Sequence, residues 1–257
     1  MRFDVVTLFP ELFEPFLKTG ITRRAYEAGQ VDVHLTNPRD YSSGNYRRVD
    51  DRPFGGGPGM VMTPEPILRA YSKLKLGGST SKSKIKVIQL SPSGAMFTNA
   101  IAKKMAKTYT DIVFVCGRYE GVDDRVRKIL KADEYSIGDY VLTGGELPAL
   151  VMADAITRQI PGVLGDQESL EEARVASPRV YTRPEVLIWP ASTRAKRGEP
   201  KAKKGAKSVL RTDRPTSKAG LGEKQKKHKV PEVLVGGHHK KIEEWRASQQ
   251  KDGTIDK

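Results

Sequence analysis

Apolar residues fall in short blocks separated by polar, glycine-rich breaks, and the spacing inside the blocks alternates between strand and helix. Residues 3–8, mostly apolar, predict a buried strand at the start of the fold. Residues 9–17 carry Leu12, Phe13, Phe16 and Leu17 at helical spacing, with Pro10 near the start, and predict a helix. A second helix is expected over 21–27, stopped at Gly29, and an alternating strand over 31–35. Residues 37–40 read as a turn, 64–74 as a helix and 77–83 as a surface loop. Residues 84–90 predict a strand that leaves through a sharp turn at 91–94. Helices at 99–107, 124–132 and 149–160 frame an apolar strand at 111–116, and 134–137 leads into a glycine-rich loop. Strands alternating with helices in this order predict an α/β domain with a largely parallel sheet.

Three breaks in the pattern are too rich in glycine to be plain connectors. The richest, Ser136-Ile-Gly-Asp-Tyr-Val-Leu-Thr-Gly-Gly-Glu-Leu-Pro148, sets Gly138, Gly144 and Gly145 around an apolar patch, and its Pro148 suits the first turn of a helix. Some twenty residues earlier, Cys116-Gly-Arg-Tyr-Glu-Gly121 follows the strand at 111–116 directly, the usual place for a site in an open α/β sheet. Each of these loops carries a carboxylate and a tyrosine, which favours a binding site over two ordinary turns. The third, residues 50–60, has Gly55, Gly56, Gly57 and Gly59 with Pro53 and Pro58, preceded by Asp50, Asp51 and Arg52. Pattern alone leaves it equally a flexible connector or a binding loop.

Composition changes the picture at one end of the chain. The 257 residues carry a net charge of +14. Residues 194–229 hold fourteen Lys or Arg against Glu199, Asp213 and Glu223, so this segment supplies +11 and the remainder only +3. Residues 192–229 have almost no apolar content and are expected to be disordered. Structure is expected to return at 230–239 and to continue as a helix over 240–248. The single cysteine, Cys116, makes no internal disulfide and reads as a small buried hydrophobe in a reducing compartment. The first ten residues, which include Asp4, do not read as a signal peptide, and no apolar run reaches membrane-spanning length. A cytoplasmic protein without a membrane partner is the expectation.

No phosphate-binding glycine fingerprint is present, and neither Ser91 nor Ser136 has an evident histidine partner. The pair His238-His239 lacks a third ligand, so no metal site is expected. The pair Asp154 and Arg158, four apart on the helix at 149–160, reads equally as a surface ion pair. What remains is a site of backbone amides and carbonyls with Tyr119, Tyr140 and Glu120, suited to an adenine-bearing ligand without a triphosphate.

At residues 8–13, 37–40, 50–60, 90–92, 116–121, 136–148, 160–165, 181–185 and 237–239 the chain closely resembles the bacterial tRNA (guanine-N1)-methyltransferase family, which modifies guanosine 37 beside the anticodon. The resemblance implies a SPOUT-class α/β fold with a parallel sheet and a C-terminal trefoil knot, followed by a small helical C-terminal domain. It divides the chain into a methyltransferase domain at 1–162, a linker at 163–180 and a C-terminal domain at 181–257 interrupted by the basic insertion 192–229. It also implies a homodimer, each active site built from both subunits, with tRNA as partner and S-adenosyl-L-methionine as cofactor. By motif, cofactor contacts fall on Leu90, Ser91, Pro92, Gly117, Tyr119, Glu120, Ser136, Ile137, Gly138, Asp139, Tyr140, Val141, Leu142, Gly144, Gly145 and Pro148. Arg158 matches the arginine that faces guanine O6. Asp50, Arg52, Gly55, Gly56, Gly57, Pro58 and Gly59 match residues that hold the guanosine and the bent cofactor.

The chain departs from the family pattern at three places. The family's general base is an aspartate directly after a Glu-Glu pair, and here Glu171-Glu172 is followed by Ala173. Glu172, or Glu171 or Asp166 in its stead, is the replacement expected; the alternative is a catalytically impaired tRNA- or cofactor-binding protein on the same fold. The second departure is the insertion 192–229, whose charge predicts attraction to the tRNA backbone. The third is an end about a dozen residues after Trp245, before the family's terminal helices.

Overall fold

The computed structural model describes residues 1–43, 46–76, 83–164, 180–189 and 226–251. The chain forms two compact units, Met1–Leu170 and Glu171–Lys257.

The first unit is built on a five-stranded parallel sheet. Its strands are β1 (Arg2–Val6), β2 (Asp32–Thr36), β5 (Ile85–Met96), β6 (Asp111–Val115) and β7 (Asp133–Ser136), in the order β2-β1-β6-β5-β7. Side chains alternate along each strand, so the sheet feeds two cores. On one face Phe3, Val5, Ile88, Ile112, Phe114 and Cys116 meet α2 (Gly20–Glu27), α4 (Asn99–Thr108) and α6 (Glu146–Arg158) through Ala25, Ala102, Met105, Met152 and Ile156. On the other, Val6, Val87, Val113 and Val115 meet α3 (Pro64–Ser72) and α5 (Asp124–Leu130) through Ile67, Ala70 and Val126. Strand β6 is buried along its whole length, which is why it reads as an unbroken apolar run. Phe3 and Phe114 stack with ring centroids 5.9 Å apart. Burying a side chain of that size contributes about 1.5–3 kcal/mol.

Two local readings change. The helix expected over 9–17 is two pieces, a 3₁₀ turn at Pro10–Leu12 and α1 (Glu14–Leu17), joined at Phe13. Pro15 explains the break: inside one continuous helix it would lack a backbone donor and collide with the preceding turn, whereas in the first turn of α1 it costs nothing. The turn expected at 91–94 is instead a four-residue excursion within β5. The ladder with β7 pairs Leu90 with Tyr135, skips 91–94, and resumes with Ala95 on Tyr135 and Met96 on Ser136. Pro92 has no N–H for a ladder and leaves it here. A Cβ on Gly94 would lie 2.6 Å from the backbone of Glu134 and Tyr135, so only glycine fits where β5 passes over β7.

Helix α6 begins at Glu146, three residues before the expected start, with Pro148 in its first turn. Between β2 and α3 the chain forms a 3₁₀ turn (Pro38–Tyr41) and a two-residue antiparallel pair, β3 (Asp50–Asp51) with β4 (Val61–Met62). The glycine-rich residues 53–60 connect β3 to β4.

In the second unit β8 (Val186–Trp189) pairs antiparallel with β9 (Lys226–Lys229), followed by α7 (Glu232–Val235) and α8 (His239–Lys251). Tyr181 and Trp245 meet with ring centroids 6.2 Å apart. Strand β9 corrects the expectation of disorder over 192–229, since its last four residues are ordered against β8. Residues 192–225 of that segment, the acidic stretch 166–174 and the loop at 77–82 lie outside the described residues.

Candidate active site

Strands β5, β6 and β7 lie side by side, and the chain leaving each carries one wall of a cavity of about 220 Å³. From β5 come Leu90, Ser91 and Pro92. After β6 come Gly117, Arg118, Tyr119, Glu120 and Gly121. From β7 and the loop after it come Tyr135, Ser136, Ile137, Gly138, Tyr140, Val141, Leu142, Thr143, Gly144 and Gly145, and Pro148 from α6 closes the ring. Parallel strands make this convergence, because the loops following adjacent strands open at one edge of the sheet.

The two glycine loops are sewn together by backbone. Gly145 N donates to Gly117 O at 2.9 Å. A Cβ on Gly145 would stand 2.8 Å from Cys116 Cα, so this approach excludes any side chain. Ser136 Oγ donates to Gly138 O at 2.9 Å and shapes the start of the second loop. Tyr119, with a positive φ of 58°, and Tyr140 are half exposed at the mouth.

Behind the cavity lies a buried carboxylate. Glu146, 1% exposed, accepts a hydrogen bond from Thr7 Oγ1 at 2.8 Å. Its other oxygen is 2.8 Å from Arg118 Nε, a contact whose N–H does not point along it and which therefore acts as an ion pair. Arg118 donates to Thr143 O at 3.2 Å and lies with its guanidinium carbon 4.4 Å from the Phe9 ring centroid. Arg118 thus belongs to the first glycine loop, grips the second and is held by the helix that follows. Beside it, burial above all pushes the Cys116 thiol well above its ordinary pKa, with the Glu146 charge adding to the rise. That thiol is a neutral packing group, not a nucleophile.

The loop 53–60 touches this assembly at one end. Met60 O accepts from Glu120 N at 3.0 Å, and Met62 N donates to Gly121 O at 2.9 Å. Gly59, with φ of 81°, lies so close to the Glu120 side chain that a Cβ would come within 2.5 Å of it. Gly55, Gly56, Gly57, Pro58 and Arg52 are exposed, and Phe54 is wholly so. Asp50 is half-buried in β3, opposite Met62.

Of the residues expected to contact a cofactor, all but Asp139 line the cavity. The structure adds Arg118, Gly121, Tyr135 and Thr143. Arg118 sits inside a motif singled out from sequence, but nothing in the pattern showed that it would turn inward to Glu146. Arg158 does not line the cavity; it ends α6, ten residues beyond Pro148, about 15 Å along the helix axis. No ion pair joins it to Asp154. Glu171, Glu172 and Asp166 lie outside the described residues. Among the described residues no cluster of His, Cys, Asp or Glu could hold a metal ion, and no helix is long and apolar enough to cross a membrane.

Known proteins resemble the chain over nearly its full length. It is 42% identical to the tRNA (guanine-N(1)-)-methyltransferase of Clostridioides difficile (strain 630) across 97% of this chain and 92% of the relative. It is 43% identical to the protein of that name from Moorella thermoacetica across 99% of this chain and 87% of the relative. With the protein of that name from Thermomicrobium roseum, identity is 44% across 96% and 77%. The family model described as tRNA (Guanine-1)-methyltransferase TrmD matches residues 1–197, which hold the whole cavity, and on these grounds the chain belongs to that family.

Proposed function

We propose that the chain is an S-adenosyl-L-methionine-dependent methyltransferase that methylates N1 of guanosine 37 in tRNA. The cavity carries this reading, because the loops assigned to the cofactor converge on it. The names of the relatives, aligned over almost the whole chain, support the reaction. The lining fits the cofactor's chemistry. Among the described residues its only cation is Arg118, which Glu146 already engages, so these residues make no cradle for a triphosphate. It offers instead main-chain atoms of the glycine loops, the apolar Leu90, Ile137 and Leu142, the tyrosines Tyr119, Tyr135 and Tyr140, and the Glu120 carboxylate.

S-Adenosyl-L-methionine, when bound, supplies an electrophilic methyl group on a sulfonium. The protein's own task lies with the acceptor. Guanine N1 carries a proton at neutral pH, and a base must take it as the new N–C bond forms. We assign that role to Glu172, or to Glu171 or Asp166 in its stead. Negative charge then develops on guanine O6, where the Arg158 guanidinium stabilises it. Asp50, Arg52 and the loop of Gly55, Gly56, Gly57, Pro58 and Gly59 hold the guanosine.

The separation of Arg158 from its own chain's cavity favours a homodimer in which a second copy completes each site. Leu147 and Val151, four apart on α6 and about half exposed, give that copy an apolar stripe to cover. In this reading β5, β6, β7 and their loops form the trefoil knot of the SPOUT class. The same reading keeps a linker at 163–180 and a C-terminal tRNA-contacting domain at 181–257.

The test is a tRNA transcript incubated with purified protein and methyl-labelled cofactor, then digested to nucleosides. Label should appear in N1-methylguanosine and vanish when guanosine 37 is replaced by adenosine. Label in any other nucleoside, or none, overturns the reading. Glu172→Ala should lower kcat by about 10²–10⁴ with cofactor affinity unchanged by calorimetry; full activity would remove Glu172 from the mechanism.

A further inference from the structure

Strands β8 and β9 form a hairpin whose eight residues are all exposed, including Trp189 at 59%. Their register sets Val186 opposite Lys229, Leu187 opposite His228, Ile188 opposite Lys227 and Trp189 opposite Lys226. Residues directly opposite in an antiparallel pair share a face. Every apolar side chain therefore has a lysine or histidine beside it, and no acid occupies any position. One face brings together Trp189, Lys226, Leu187 and His228; the other takes Val186, Ile188, Lys227 and Lys229.

A two-stranded hairpin with both faces in water is marginal on its own, so a partner that covers it supplies stability that the strands lack. The pattern indicates the partner's chemistry. Cations interrupt each face, leaving no continuous apolar stripe for another protein's core. An indole beside an ammonium on an acid-free strand pair suits single-stranded nucleic acid, in which bases stack on aromatic rings and phosphates meet lysines. By sequence, residues 190–225, which join the strands, hold eleven Lys or Arg against three acids.

We propose that the β8–β9 hairpin is an RNA-docking surface, with Trp189 stacking on an unpaired base and Lys226, Lys227 and Lys229 contacting phosphates. This deepens the proposed function and rests on it for the identity of the RNA as the tRNA substrate.

The full chain holds two tryptophans, so Trp245→Phe leaves Trp189 as the only reporter and keeps a ring against Tyr181. Oligouridylate and unmodified tRNA should each quench Trp189 emission by about half or more through base stacking. Replacing Lys226, Lys227 and Lys229 by Gln should weaken tRNA binding about tenfold and reduce the log–log salt slope by about 2, at about 0.7 per lost contact. Far-ultraviolet circular dichroism and cofactor titration check that each variant is folded. Bound tRNA with unquenched Trp189 and an unchanged salt slope overturns the proposal. So does an emission shift caused by phosphatidylserine vesicles but not by RNA, which would make the hairpin a membrane-facing surface. The two readings fail separately. Methyl transfer with a silent Trp189 removes only the docking surface; quenching by RNA without methyl transfer removes only the reaction.

Discussion

Gly145 and Gly94, beside the strands that carry the cavity, and Gly56 of loop 53–60 look alike in sequence and do opposite things. At Gly145 and Gly94 the φ angle is ordinary, and what glycine provides is room: backbone from another segment stands where a Cβ would be. At Gly56 nothing lies within 4 Å of a Cβ position, and glycine is required by a φ of 80°. The first kind is locked from outside by neighbouring chain and by the buried Thr7–Glu146–Arg118 chain of contacts. The second is held by its own torsions, by Gly56 N donating to Pro53 O at 3.3 Å and by its end at Glu120. One region is therefore a wall packed against neighbouring backbone, and the other an exposed strap.

The sharpest way to break this contrast is to remove the lock. Glu146→Ala leaves the Arg118 guanidinium, 19% exposed in its side chain, without its anion. Losing one partner of a buried pair costs about 3–5 kcal/mol. Unfolding by denaturant should show that loss, and cofactor affinity should fall with it as Thr143 and Gly144 come loose. Affinity that survives a full loss of the pair would mean that backbone stitching alone shapes the wall.

Next comes Gly145→Ala, which drives a methyl group to within 2.8 Å of Cys116 Cα. Neither backbone yields easily, and overpacking of this kind costs about 1–3 kcal/mol. The expected result is a lower melting temperature together with weaker cofactor binding, because the same contact holds Gly145 N on Gly117 O. A melting temperature equal to wild type would show that the two loops separate cheaply, and the wall would not be rigid.

The packed region was also the more legible in sequence. Long apolar runs such as residues 111–116 announce buried parallel strands, and the order of strand and helix gave the α/β class. The cavity loops were legible because each lies directly after a strand and carries its glycines close together. What sequence hid were interactions between distant segments. Periodicity cannot show that Ser91 to Gly94 leave a ladder and rejoin it, because the reason is the backbone of β7 pressed against Gly94. Nor can it show that Glu146, an ordinary acid at a helix start, is buried against Thr7, 139 residues away. Strand β9 was missed for the reverse reason: Lys-Lys-His-Lys has no apolar pattern, and only the partner strand β8 makes it one.

The smallest effect, and the most discriminating, is expected from Gly56→Ala. Open space surrounds the position, so the methyl group meets no neighbour, and the cost is the torsion alone. Holding an alanine at positive φ costs about 1 kcal/mol, spread over a loop able to relax. The melting temperature should scarcely move, and cofactor titration should match wild type, because Gly56 does not line the cavity. If the loop works by adopting more than one shape around a bound guanosine, the same substitution narrows the shapes available and raises KM for tRNA several-fold while the fold stays intact. Gly145→Ala lowers stability and binding together; Gly56→Ala separates them. If Gly56→Ala instead lowers the melting temperature as much as Gly145→Ala does, the strap is packed as tightly as the wall, and the contrast between the two loops is lost.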